Sequence, residues 1–205
     1  VQVRRHADLA VVWTGADVTT DQVDVVARLT SQIAGGTEFI VPMGERADPQ
    51  TVQFGNHADT EPVGVLAWEA TRIASGIPRI GLDTDTRTIP NEIGLYATHL
   101  DKGCYRGQET VARVHNLGRP PRRLTMLMLD GSDAELPDPG SSVILERRKV
   151  GQLGGVAMHH ELGPVGLALL KRNVSVDSVL TVDGVAASQT ILVDPEVGLH
   201  VRPQL

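Results

Sequence analysis

Cysteine and aromatic side chains are scarce in this sequence. One cysteine, Cys104, stands in 205 residues, so no disulfide can form within the chain, and this usage fits the reducing cytosol. A single thiol also cannot hold an iron–sulfur cluster, which takes about four cysteine ligands. Two Trp, two Tyr and two Phe make up 3% of the chain, so the core has to be built from Val, Leu, Ile and Ala. No apolar run approaches the ~20 residues that a membrane span needs, and no stretch reads as a signal peptide. A cytoplasmic protein without a membrane partner is expected.

Positive charge is also in deficit. The net charge of −6 argues against general nucleic-acid binding. Between Asp101 and Arg123, however, six basic residues (Lys102, Arg106, Arg113, Arg119, Arg122, Arg123) face two acidic ones, a net of +4 that leaves −10 for the rest. A local cationic patch on an acidic protein suits a small anionic ligand better than a long polyanion. The seven histidines are scattered and suggest no metal site; His159 and His160 are adjacent and would point to opposite faces of a strand.

The chain opens Val1-Gln2-Val3-Arg4-Arg5 without a methionine, which reads as a fragment or a processed product. Leu9 to Trp13 predicts a strand, Asp21 to Ala34 a helix stopped by Gly35-Gly36, and Phe39 to Val41 a short strand. Gly44 to Pro62 reads as loop. Val63 to Ser75 predicts a helix with Leu66, Ala70 and Ile73 on one face, a left-handed cap at Gly76 and a stop at Pro78. Arg79 to Asp101 is turn-rich, and Gly107 to His115 predicts a short helix. Beyond Pro120-Pro121, strand-length apolar runs (124–129, 142–145, 150–157, 165–170, 179–182) alternate with Gly, Pro and Asp turns, which predicts a small antiparallel β-barrel. The fold class is α+β, with a mixed α/β part over 1–119 and a barrel over 120–205.

The segment with most chemistry is Lys102-Gly103-Cys104-Tyr105-Arg106-Gly107-Gln108-Glu109. Gly103 and Gly107 leave the backbone free for a tight, exposed loop. A helix start just beyond Cys104, with Lys102 and Arg106 beside it, favours the thiolate form of the sulfur. The alternative is a buried cysteine acting as a small apolar residue. Upstream, Glu69-x-x-Arg72 on a helix reads as an exposed ion pair. Gly151-x-x-Gly154-Gly155 is no nucleotide loop, because no strand-turn-helix context surrounds it. Arg119, Arg122 and Arg123 fit an anion site or a solvated linker equally well.

The run Lys102-Gly103-Cys104-Tyr105-x-Gly107-Gln108-Glu109 resembles the signature of the YgfZ family, a branch of the folate-dependent aminomethyltransferases of the glycine cleavage system (the T-protein). Glu69-x-x-Arg72-Ile73-x-x-Gly76-Ile77-Pro78 resembles a second stretch shared by both groups, and Val150-Gly151 together with 162–170 resembles the closing barrel of the family. The resemblance is strong over 63–123 and weak over 1–60. It implies a folate-binding aminomethyltransferase-like fold whose first portion is missing from this sequence, with tetrahydrofolate or a one-carbon derivative as cofactor. By the same resemblance Cys104, Lys102 and Tyr105 would carry the chemistry, and Arg72, Glu69, Gly103, Gly107, Gln108 and Glu109 would contact the cofactor. The implied function is an accessory factor for iron–sulfur enzymes, with folate and iron–sulfur client or assembly proteins as partners. Two alternatives stand beside it: a T-protein-like aminomethyltransferase, and a folate-fold interaction module without chemistry. T-proteins do not carry the Lys-Gly-Cys-Tyr loop, which favours the first.

Overall fold

The structure, a computed structural model, describes residues 9–14, 27–31, 35–42, 64–95, 103–117, 120–132 and 135–196. The chain divides into two compact units, Val1–Gly64 and Val65–Leu205. The boundary expected near Pro120 falls inside the second.

In the first unit, β1 (Leu9–Thr14), β2 (Ala27–Thr30) and β3 (Thr37–Pro42) form an antiparallel sheet with β3 in the middle. β1 and β3 follow the apolar runs that predicted them. The helix expected over 21–34 is corrected where it can be seen: Ala27–Thr30 is a strand that pairs Leu29 with Glu38 and Arg28 with Phe39. Its apolar spacing described no buried helical face, since Leu29 is half exposed. The free edge of β3 offers backbone partners that decide the conformation. Gly36 is needed here because a Cβ would clash with the backbone oxygen of Thr14 and stand 2.5 Å from the indole nitrogen of Trp13. The loop expected over 44–62 lies outside the described residues.

The second unit is built on a closed six-stranded barrel of β4 (Arg122–Leu129), β5 (Ser142–Leu145), β6 (Arg148–His159), β7 (Gly163–Lys171), β8 (Leu180–Val182) and β9 (Val185–Ile191). They are ordered β4-β7-β6-β5-β8-β9, antiparallel throughout. Asp183 and Gly184 both have positive φ, 48° and 90°, the mirror-image turn that a two-residue hairpin favours. Leu127, Leu129, Val143, Leu153, Leu170, Leu180 and Val182 fill the interior. Alternate residues of β4, Leu124 and Met126, face outward and pack with Val165 and Leu167 against Ala70 and Ile73 of the helix α1 (Val65–Ala74). Fully burying a side chain such as Ile73 contributes about 2 kcal/mol.

Leu66, expected on that buried face, is 77% exposed; it sits in the first turn of α1, before the helix meets the barrel. Gly76 has φ +70° and its N–H closes onto Ile73 O at 2.9 Å, so the helix ends as its sequence predicts. A 3-10 turn over Pro90–Ile93 and a second helix, α2 (Gln108–Leu117), complete the unit.

The inward face of β4 is not wholly apolar. Arg123 is 1% exposed and gives hydrogen bonds to Thr125 Oγ1, Val174 O and Gln189 Oε1. Its Nε has no partner, and no carboxylate pairs with it among the described residues. Burial lowers its pKa. It is therefore neither a solvated linker residue nor an open anion site.

Candidate functional site

Cys104 lies on an exposed loop. Gly107 holds φ +83° with open space around it, so conformation rather than crowding requires a glycine there. The amide of Gln108 donates to Tyr105 O at 3.2 Å, and the Gln108 Oε1 accepts from the Tyr105 amide at 3.4 Å. These bonds close the turn at the amino end of α2, where Glu109 complements the helix dipole. Lys102 lies outside the described residues.

Next to this loop is a cleft of about 730 Å³. One wall is Thr86, Arg87, Thr88, Ile89, Pro90 and Leu95; the other is Tyr105, Arg106, Gly107, Thr110 and Val111. The lining is largely apolar, and each wall carries one exposed arginine. Among the described residues neither Arg87 nor Arg106 pairs its guanidinium with a carboxylate. Gly103, Cys104, Gln108 and Glu109 do not line the cleft, although Cys104 is bonded to Tyr105, which does.

A second arginine system lies under the Arg87 wall. Arg122 gives Nε and Nη2 to the two oxygens of Glu92, each at 2.9 Å, and Nη1 and Nη2 to Asp85 at 2.6 and 3.1 Å. Glu92 is fully buried and also accepts the Ile89 amide at 3.2 Å. Asp85 Oδ1 accepts the Arg87 amide and the Thr88 hydroxyl, each at 2.9 Å. The guanidinium of Arg122 holds the Asp85 carboxyl well below the ordinary carboxylate range, and the two carboxylates push the Arg122 pKa above its usual value.

Arg72 sits elsewhere. It is 1% exposed, as is fitting for a residue that gives Nε and Nη2 to Glu69 at 3.0 and 2.7 Å and Nη1 to Asp83 at 2.9 Å and to Ile77 O. Asp83 accepts further from the Arg79 amide at 2.7 Å and from the Gly155 amide at 2.5 Å. The exposed pair read from sequence is thus a buried network joining α1 to β6. The glycines that are no nucleotide loop serve it: a register shift lies between Leu153 and Val156, and a Cβ on Gly154 would stand 2.7 Å from Asp83 Cα and one on Gly155 2.6 Å from Arg72 Nη2. Arg72 and Glu69 therefore do not share the cleft beside Cys104.

Sequence reasoning missed Arg87, Asp83, Asp85 and Glu92, all within a stretch read only as turns. The signals present were weak: Asp85-x-x-Thr88, a local side-chain turn, and Glu92 three residues after Ile89, which closes a cap. His159 and His160 do not point apart; their ring centroids are 4.4 Å from each other, because the strand ends at His159 and the turn begins. Among the described residues no group of three or more His, Cys, Asp or Glu could hold a metal ion, and no helix is long and apolar enough to cross a membrane.

No protein-family model matches the chain. A chloroplastic protein of Arabidopsis thaliana that carries the provisional name of a transferase is 34% identical over 59% of this chain and 28% of its own length. The tRNA-modifying protein YgfZ of Vibrio atlanticus is 26% identical over 86% of this chain and 59% of its own. The protein of that name from Hamiltonella defensa is 32% identical over 57% and 36%. The chain thus spans between 28% and 59% of the length of these relatives. The chain is similar in sequence, over part of their length, to several proteins named tRNA-modifying protein YgfZ.

Proposed function

We propose that this protein is a folate-binding accessory factor for iron–sulfur enzymes, with the cleft beside Cys104 as its ligand site and the Cys104 thiol as its working group. The cleft carries this reading. Its volume is that of a small-molecule site. Apolar walls from Ile89, Pro90, Leu95 and Val111, with Tyr105 beside them, suit a planar ring system, and Arg87 and Arg106 suit carboxylates. Tetrahydrofolate has both parts, so the residues fit it; when bound it would supply one-carbon chemistry. The chain's own residues bind and orient it, and the turn at Gly107 keeps Cys104 exposed beside it. An aminomethyltransferase-like arrangement of the whole protein belongs to the same reading.

The relatives are named tRNA-modifying proteins; in this reading the present chain acts on tRNA through a client enzyme, and its net charge of −6 supports that over general RNA binding. Complementation tests this. In cells that lack the protein, the full-length wild type should restore iron–sulfur enzyme activity and tRNA modification, and Cys104→Ser should not. Full rescue by Cys104→Ser would remove the thiol from the mechanism.

A further inference from the structure

Among the described residues of the second unit Arg122 is the best-connected cation, yet it lies outside the cleft lining. Both edges of its planar guanidinium are taken, one by Asp85 and one by Glu92, with Thr88 Oγ1 a further acceptor at 3.4 Å. Such a group has no fork left with which to grip a ligand. Its two carboxylates sit at the two ends of the segment Asp85–Glu92, and Thr86 to Pro90 between them line one wall of the cleft. Each carboxylate also fixes a backbone amide inside that wall, Arg87 by Asp85 and Ile89 by Glu92. Arg122 itself is the first residue of β4, part of the closed barrel. The wall is thereby tied to a strand of the closed barrel.

Resting on the cleft as the ligand site, we propose that Arg122 is a positioning residue: through Asp85 and Glu92 it holds the Thr86–Pro90 wall so that Arg87 is set for an anionic ligand. Lysine in its place keeps the charge and loses both forks. Asp85 is half exposed, so Asp85→Asn opens one fork without burying a charge, whereas truncating Arg122 would strand Glu92 and endanger the fold.

Two measurements on this chain test the proposal. In amide hydrogen exchange, Arg122→Lys and Asp85→Asn should speed exchange at Arg87 about tenfold, and Arg122→Lys should do the same at Ile89, as expected for one lost charge-assisted hydrogen bond. Amides of β6 and β7 should be unchanged. Unaltered protection at Arg87 and Ile89 would overturn the proposal. In calorimetry with 5-formyltetrahydrofolate as probe, Arg87→Ala and Asp85→Asn should each weaken binding, and Asp85→Asn/Arg87→Ala should bind no worse than Arg87→Ala, because the two act through one group. Additive losses would also overturn it. If the wild-type chain shows no binding, the folate reading of the cleft fails, while the exchange result still decides whether Arg122 sets the wall.

Discussion

Asp83→Asn is the sharpest perturbation of the network under α1. The carboxylate is fully buried and accepts from three donors: Arg72 Nη1, the Arg79 amide and the Gly155 amide. Asparagine has nearly the same shape, so no cavity opens. Its single oxygen can serve only one side, so its NH2 must face either the Arg72 and Arg79 donors or the Gly155 amide. Donor then opposes donor in a dry site, and Arg72 keeps Glu69 as its only carboxylate. Removing one partner of a buried ion pair costs about 3–5 kcal/mol. For a chain of this size each kcal/mol lowers the melting temperature by about 2–4 °C, so a fall of about 6–20 °C is expected. Trp68 lies on α1 and Trp13 in the other unit; fluorescence melting in a Trp13→Phe background therefore follows the unit in question. Adding Arg72→Met should recover part of the loss by removing the stranded charge. A loss below about 1 kcal/mol for Asp83→Asn would refute the reasoning, because so small a cost belongs to exposed pairs.

Two further outcomes follow from the geometry. Because Arg122 holds the Asp85 carboxyl below its ordinary value of 3.8, the stability from this contact is fully present above that pH and is lost as pH falls below it. Acid unfolding should therefore be shallower below about pH 4 in Asp85→Asn than in the wild type, and superimposable slopes would show that the contact is not formed in solution. Gly154→Ala places a Cβ 2.7 Å from Asp83 Cα, a clash with backbone that cannot rotate away, and should cost about 1–3 kcal/mol by denaturant titration; Ala tolerated without loss would mean that β6 and the Asp83 turn are farther apart.

The barrel was legible because its information is local. Apolar alternation and the turn at Asp183-Gly184 are short-range signals, and they marked β4 to β8 within a few residues; β9 went unnamed because Val185–Ile191 is half polar. The segment Ala27–Thr30 was misread because an apolar spacing of three and four does not tell which strand edge is nearby. The loop at Cys104 announced itself through glycines and neighbouring charge. The cleft did not, because its second wall comes from a stretch about twenty residues upstream whose shape is set by Arg122, a residue adjacent to neither. Likewise nothing in Glu69-x-x-Arg72 tells that Asp83 and Gly155 will cover it, since burial of a helix face depends on what packs there.

The guanidinium inside the barrel bears on how the barrel closes. Arg123 gathers an acceptor from its own strand (Thr125), from the chain after β7 (Val174) and from β9 (Gln189). In the native ladder Gln189 stands across from Leu127 and Ile191 across from Thr125. If β9 slipped by two residues, the place of Gln189 would be taken by Ala187 or Ile191, neither of which can accept a side-chain hydrogen bond. An apolar plug would tolerate that error, since one aliphatic residue replaces another at little cost. A buried cation does not, because losing a partner leaves charge in a dry interior. Arg123 thus acts as a register check: the ring of strands closes at low energy only when the last strand arrives in step with the first.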